Sequence, residues 1–230
     1  MKSMNSFKSA IAPKIRAIIG SVLFGSAFLS TTCFVHAPVF AGIITQGDDQ
    51  PSKTVPLETF TGYYQLPDQA SFIHFELKDN TLFAQWNNKE YQLVQTSETN
   101  FETKEEGYQV EFIKNNSDQF AFAKILGKIV TEKVGFDPTI IKQLSAAQLK
   151  RLEGTYILKN DNSFQLDIRS SANGLTLKQL WDNKEIAFTP RSETFFLNED
   201  GTFPMTFSLS DGEVAQVTCF KDDIWLKASN

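Results

Sequence analysis

Residues 203–219 read Phe-Pro-Met-Thr-Phe-Ser-Leu-Ser-Asp-Gly-Glu-Val-Ala-Gln-Val-Thr-Cys. Apolar side chains take every second position on each side of Asp211-Gly212: Phe203, Met205, Phe207 and Leu209 before it, and Ala215, Val217 and Cys219 after it. A period of two places one face of a strand in a core and the other face in water. Asp-Gly supplies the positive φ angles of a tight turn, so this stretch predicts an antiparallel hairpin.

Turn signals of the same kind, such as Asn173-Gly174 and Asp200-Gly201, divide the rest of the second half of the chain. The runs between turns predict eight strands, at 154–159, 163–169, 174–180, 185–189, 193–198, 203–209, 213–220 and 223–227. Eight short antiparallel strands can close into a barrel that has no exposed edge. The interior of such a barrel is either filled by side chains or holds one small ligand.

The first half of the chain repeats this pattern. Trp86-Asn87-Asn88-Lys89-Glu90 returns 95 residues later as Trp181-Asp182-Asn183-Lys184-Glu185, and Ser97-Glu98-Thr99 returns as Ser192-Glu193-Thr194 at the same offset. A repeat of this length predicts two copies of one small domain instead of one large core. We therefore predict an all-β protein with barrels at 57–130 and 150–228.

The repeat also predicts which side chains of the first barrel point inward. Ile73 and Phe75 should point inward and His74 outward. Tyr108, Val110 and Phe112 align with Phe203, Met205 and Phe207, and Phe120 and Phe122 align with Ala215 and Val217. All of these apolar residues are expected in the core.

Residues 131–149 are predicted to be a short helical linker with one or two short helices. Asp137-Pro138 has the N-cap and first-turn proline of one helix. Ser145 and Gln148 have the spacing of a capping box for a second helix, which leads into Gly154.

Residues 1–41 predict a secretory signal peptide. Lys2, Lys8, Lys14 and Arg16 precede an apolar run at 17–29, and Val39-Phe40-Ala41 offers a cleavage site after Ala41. That run is shorter than the roughly 20 residues of a membrane-spanning helix. The protein is therefore expected in the periplasm or outside the cell, with a polar, flexible arm at 42–56; the alternative is a membrane-anchored lipoprotein modified at Cys33.

Removal of the leader changes the charge and the cysteine content. The chain has 22 basic and 27 acidic residues, and loss of the four basic leader residues leaves 18 against 27. Such an acidic protein repels nucleic acid, so a nucleic-acid partner is not expected. Cys219 remains as a single cysteine, which predicts a small buried side chain and no internal disulfide.

Few residues offer catalytic chemistry. His74 is the one histidine after the leader, and we expect it on the outer face of its strand. Neither Ser-x-x-Lys nor Gly-x-Ser-x-Gly occurs, and no metal site or cofactor is predicted. Glu90 and Glu185 recur in both repeats, but turn chemistry explains their surroundings, and a glycosidase pair would need both acids in one cleft.

The apolar interiors are the remaining candidate site. Trp86 and Trp181 take equivalent places in the two repeats, as do Phe101 and Phe196. Ligand-holding pockets are lined by such side chains, although plain core packing is the more common explanation. We take these four as candidate ligand-binding residues of the barrel interiors.

The second repeat resembles a known domain. A short helix running into Gly154-Thr155-Tyr156, followed by Gly-Leu-Thr-Leu at 174–177 and Ser-Glu-Thr-Phe-Phe at 192–196, is similar to a lipocalin-like domain of uncharacterised function. That domain commonly follows the catalytic domain of β-lactamase-like and penicillin-binding-protein-like serine hydrolases. The resemblance implies two lipocalin-like accessory barrels without the hydrolase domain, and it transfers no catalytic residue.

Together these observations predict an exported, non-catalytic binding protein. Its partner would be a small apolar ligand or an envelope protein such as a serine hydrolase. The alternative is a hydrolase that uses paired carboxylates in a cleft between the barrels.

Overall fold

Two closed, eight-stranded antiparallel barrels follow one another along the chain in the computed structural model, as the alternating sequence predicts. The structure describes residues 55–228. The predicted signal peptide, its cleavage after Ala41, the lipidation alternative at Cys33 and most of the arm at 42–56 lie outside these residues. Within residues 55–228, neither helical segment has the length and apolarity that a bilayer crossing requires.

Barrel 1 is an up-and-down meander that closes by pairing its first and last strands. A 3-10 helix, Leu57–Phe60, precedes it. Its strands are β1 (Gly62–Gln65), β2 (Phe72–Lys78), β3 (Thr81–Trp86), β4 (Lys89–Gln95), β5 (Asn100–Thr103), β6 (Gln109–Lys114), β7 (Phe120–Ile125) and β8 (Ile129–Val134). Each strand pairs with the next, and β1 pairs with β8.

Barrel 2 repeats this order after a short helix, α1 (Ala146–Arg151). Its strands are β9 (Gly154–Leu158), β10 (Gln165–Ser171), β11 (Gly174–Gln179), β12 (Glu185–Pro190), β13 (Phe195–Asn198), β14 (Pro204–Ser210), β15 (Glu213–Cys219) and β16 (Asp223–Lys227). Pairing of β16 with β9 closes the barrel.

The linker contains one helix, which agrees with the one or two that its sequence predicts. Ser145 and Gln148 form the predicted capping box at the start of α1. Asp137-Pro138 begins only a turn, in which the Asp137 carboxylate accepts hydrogen bonds from the backbone N–H and the hydroxyl of Thr139. Strand β8 continues to Val134, four residues past the predicted end of barrel 1, because its pairing with β1 closes the barrel.

Aromatic rings fill the interior of barrel 1. The Phe112 ring stacks on Phe60 at a centroid distance of 4.5 Å and meets Phe75 and Phe101 edge-on at 4.9 and 5.6 Å. Phe60 comes from the 3-10 helix that precedes the barrel, so this helix places its ring in the barrel interior. Such rings bury a large area each, which compensates for the small size of the domain.

A lysine, a glycine and a tyrosine recur at the same end of each barrel. In barrel 1 the Tyr64 hydroxyl donates to the Phe60 carbonyl, and Lys133 Nζ donates to the Thr59 carbonyl at 3.0 Å beside Gly62. Barrel 2 repeats the arrangement with Tyr156, whose hydroxyl donates to Leu152, and with Lys227, whose Nζ donates to Arg151 beside Gly154. The carbonyls at the end of each helix thus receive donors from the closing strand and from the first strand.

The predicted match of Phe120 and Phe122 to Ala215 and Val217 is wrong by one residue. The turn before β7 is one residue longer than the turn before β15, so the repeat offset falls from 95 to 94 at this point. Phe120 therefore corresponds to Val214, and Ala123 corresponds to Val217; all four are buried. Phe122 lies on the outer face, opposite Glu132 of β8.

A bulge explains a second difference from simple alternation. The register of β14 and β15 shifts at Leu209, so that Ala215 is an extra, exposed residue and Val214 takes the inward position. Leu209 itself is exposed. Tyr108 is also exposed, although its equivalent Phe203 is buried against Phe188.

Candidate functional site

Two of the four candidate interior residues belong to the packed cores. Phe101 is 2% exposed and meets the Phe60 ring at 5.4 Å. Phe196 is fully buried and meets the Phe207 ring edge-on at 5.6 Å. Both side chains are therefore in contact with other rings of the same core, and their surfaces are covered by protein.

The two candidate tryptophans lie at the ends of strands. Trp86 is the last residue of β3 and packs, partly buried, against the core of barrel 1. Trp181 follows β11 and stacks on Trp225 with a centroid distance of 6.2 Å and an interplanar angle of 10°. Because Thr131 takes the place of Trp225 in barrel 1, the two tryptophans have different surroundings despite their equivalent places in the sequence.

The recurring acids Glu90 and Glu185 lie on the outer faces of different barrels. Glu90 Oε2 accepts a hydrogen bond from Lys78 Nζ at 2.6 Å and one from Gln85 at 3.1 Å. The Lys78 ammonium holds the pKa of the Glu90 carboxyl below its usual value. Glu185 is exposed at the start of β12. The structure thus gives Glu90 an ion-pairing role on the barrel surface.

His74 lies on the outer face of β2, as the alternation predicts, between the buried residues Ile73 and Phe75. Its ring stacks on Tyr63 of β1 with a centroid distance of 4.2 Å. Partial burial, together with the nearby Asp137 carboxylate, raises the pKa of the Tyr63 hydroxyl. The histidine therefore serves as a ring-stacking partner across the β1–β2 pair.

The single cysteine of the described chain is buried, as predicted. Cys219 is 2% exposed, and this burial raises the pKa of its thiol. Its cross-strand neighbour Asp223 is half-buried. Burial, with the neighbouring Asp222 charge as a smaller cause, raises the pKa of the Asp223 carboxyl to about 6. A thiol in such surroundings stays protonated and is a poor nucleophile or metal ligand.

A cluster of three phenylalanines joins the two barrels, which belong to one compact unit. Phe195 of β13 stacks on Phe136 of the linker at 5.2 Å and meets Phe72 of β2 edge-on at 5.9 Å. Lys142 of the linker donates its backbone N–H to the Pro190 carbonyl, and its Nζ lies 3.3 Å from the Glu193 carboxylate. We call this contact, formed by the three rings and the Lys142–Glu193 pair, the joint.

The joint was not predicted from the sequence, although the sequence pattern contains a signal for it. Phe72 precedes the inward-facing residue Ile73, and Phe195 precedes the inward-facing residue Phe196. Because side chains alternate between the two faces of a strand, Phe72 and Phe195 point outward. An aromatic residue on the outer face of a strand is a candidate contact residue. The residue that covers such an aromatic side chain depends on the relative placement of the two barrels. The periodicity of the sequence carries no information on this placement.

The corresponding part of barrel 1 carries two surface depressions. One, of about 390 Å³, is lined by Ser97, Asn100 and Glu102 together with residues of β6 and β7. The other, of about 320 Å³, is lined by Glu98 and Thr99 and by residues of β6 and β7. Both depressions lie along the β5–β6 pair, next to the turn Ser97-Glu98-Thr99. This turn is the equivalent of Ser192-Glu193-Thr194, which contributes Glu193 to the joint.

Comparisons with known proteins supply no family for this chain. No protein-family model matches it, and no curated protein matches it either. Within residues 55–228, no group of three or more His, Cys, Asp or Glu side chains is arranged to hold a metal ion.

Proposed function

We propose that this chain is an exported, non-catalytic binding protein whose outer surfaces bind a protein partner, such as an envelope serine hydrolase. The observation that carries the proposal is the packing of the barrel interiors. Phe101 and Phe196, the candidate ligand-binding residues at the centre, are buried among other rings. An eight-stranded barrel that is filled by its own side chains leaves its outside for recognition.

The structural roles of the chemically able residues support the non-catalytic part of the proposal. The Cys219 thiol is buried, the His74 ring stacks on Tyr63, and the Glu90 carboxylate pairs with Lys78. A general base acts in hydrogen-bond reach of a substrate proton, and a nucleophile needs an activating neighbour. The histidine ring and the glutamate carboxylate instead have partners within barrel 1, and the thiol is enclosed in the core of barrel 2.

The resemblance of the second repeat to an accessory domain of serine hydrolases supports the choice of partner. The basic start of the chain, the apolar run at 17–29 and the small residue Ala41 support export. We expect the protein purified from its host to begin at Gly42. A lipid-modified Cys33 at the N-terminus would instead establish the lipoprotein alternative.

Two measurements test the binding function. Native mass spectrometry of the protein from its host should give the mass of the polypeptide alone, because the interiors are filled. Photo-reactive residues placed one at a time on the outer faces of both barrels should cross-link in the periplasm to one protein, identified from its peptides. A chain without residues 1–41, which stays in the cytoplasm, is the control. A tightly held apolar molecule, or a failure to cross-link from any position, would refute the proposal.

A further inference from the structure

The turn that forms the joint in barrel 2 has a close counterpart in barrel 1. In barrel 2 the backbone N–H groups of Arg191 and Ser192 donate to the Phe195 carbonyl. In barrel 1 those of Thr96 and Ser97 donate to the Asn100 carbonyl in the same way. Asn100 is thus the structural equivalent of Phe195. We call residues 96–100, with the outer sides of β5 and β6, the barrel 1 face.

Turn geometry accounts for the repeated serine but leaves the repeated glutamate unexplained. Ser97 Oγ accepts a hydrogen bond from the Asn100 side chain at 2.7 Å, and Ser192 Oγ accepts one from the Phe195 backbone at 2.9 Å. The carboxylate of Glu193 points to Lys142 of the linker. Its equivalent, Glu98, is exposed and forms no ion pair with any residue between 55 and 228.

The barrel 1 face also has room for a side chain from another molecule. Phe195 fills its own face, where it is 3% exposed beneath Phe72 and Phe136. The smaller, partly exposed Asn100 instead lines the depression of about 390 Å³. Glu98 lines the neighbouring depression of about 320 Å³. Glu111 lines both depressions and pairs with Lys124 of the larger one, and Lys114 lines the smaller one. The carboxylate of Glu98, unpaired among residues 55–228, therefore lies at one of two adjacent recesses on the outside of the barrel.

The linker shows what kind of segment such a face accepts. On barrel 2 it supplies an aromatic ring from Phe136 and an ammonium group from Lys142, six residues further on. We propose that the barrel 1 face binds a segment of a partner protein that carries an aromatic and a basic side chain at similar spacing. The basic side chain pairs with Glu98, and the ring enters the recess beside Asn100. This proposal rests on the protein-binding function proposed above and names its surface.

The linker sequence itself provides the probe. A synthetic peptide of residues 135–143, Gly-Phe-Asp-Pro-Thr-Ile-Ile-Lys-Gln, is added to the ¹⁵N-labelled protein as exported by its host, and backbone amide shifts are followed. We expect saturable shifts at residues 96–100 and on β6, because the equivalent face of barrel 2 is already covered by its own linker. Peptides in which Phe136 is alanine or Lys142 is glutamate should bind more weakly.

Two protein variants sharpen the test. Glu98→Lys should weaken peptide binding at least about tenfold, because it places like charges together. Asn100→Phe fills the recess that the ring of the peptide would enter and should weaken binding about fivefold or more. The matched control is Glu213→Lys, which makes the same charge change at an exposed site on barrel 2 and should leave binding unchanged.

The inference would be overturned if the peptide did not bind the barrel 1 face of the wild type, or if neither Glu98→Lys nor Asn100→Phe weakened its binding. The photo-reactive residues separate this failure from failure of the proposed function. Cross-links to a partner from other positions, together with no peptide binding at the barrel 1 face, would support the protein-binding function and refute the assignment of its binding surface. An absence of cross-links from every position would remove both.

Discussion

Replacing Phe112 with alanine should strongly destabilise barrel 1 and leave the stability of barrel 2 unchanged. Phe112 is 2% exposed, and its ring contacts Phe60, Tyr64, Phe75 and Phe101 at centroid distances of 4.5 to 5.8 Å. Truncation of such a ring removes its buried area and leaves a cavity, at a cost of about 3–5 kcal/mol. A domain of this size has only about 4–12 kcal/mol of stability, so much of it would be lost.

Hydrogen exchange read by mass spectrometry distinguishes the two barrels, because each peptide reports one of them. In Phe112→Ala, amides of residues 57–134 should exchange faster by a factor that corresponds to the lost free energy, and amides of residues 154–227 should keep their protection. The equivalent change Phe207→Ala in barrel 2 should give the mirror result. Phe122→Ala is the matched control, because Phe122 is the same residue type on the outer face of β7.

The reasoning would be refuted if Phe112→Ala removed protection from both barrels equally. That result would mean that the joint couples the barrels more strongly than either core holds itself together. An effect of Phe122→Ala as large as that of Phe112→Ala would refute the inward and outward assignment of β6 and β7.

Three further changes test local features. Gly174→Ala should destabilise barrel 2 by about 3 kcal/mol or more in chemical denaturation, because φ is +154° and an added Cβ would lie 2.1 Å from the Phe188 carbonyl oxygen. Tyr64→Phe should cost about 1–2 kcal/mol, because the buried Phe60 carbonyl loses its hydroxyl donor. Asp223 has a folded-state pKa raised to about 6, so its contribution to stability is present below pH 4 and is lost as the pH rises through 6. Asp223→Asn should remove that pH dependence, worth about 1 kcal/mol after screening by solvent, from the thermal midpoint of barrel 2.

Each of these changes has a control. Gly201→Ala meets no atom within 4 Å at φ +69° and should cost about 1 kcal/mol. Tyr108→Phe alters an exposed hydroxyl and should stay within about 0.5 kcal/mol of the wild type. Asp222→Asn should move the Asp223 transition to lower pH, because the Asp222 charge helps to raise that pKa. Equal effects of the two glycine changes, of the two tyrosine changes, or an unmoved pH transition would contradict the corresponding explanation.

Much of the fold follows from local sequence patterns. The eight strands predicted for barrel 2 all form, with ends shifted by no more than two residues. The capping box of Ser145 and Gln148 also forms as predicted. These features depend on alternation and on turn chemistry over a few neighbouring residues. The helix signal of Asp137-Pro138 is equally local, but this pair begins only a turn. The residues around the pair are held by β8 and by the joint.

The candidate site was less predictable. The sequence predicts Phe101 and Phe196 as interior residues, but it does not distinguish a filled barrel from a hollow one. Packing of Phe60 into barrel 1 decides that question there, because the ring comes from outside the strands. The role of Glu193 also needed the structure, since its partner Lys142 belongs to the linker.

The amino-acid sequence alone determined that this protein consists of two all-β domains, because alternation, turn residues and an internal repeat are properties of neighbouring positions. Only the tertiary structure decided which face of each bulged strand is buried, and that Phe72, Phe136 and Phe195 hold the barrels together. A bulge shifts every later side chain by one position, and a contact between domains depends on their relative placement. Both arise from interactions between segments far apart along the chain, which no local pattern encodes.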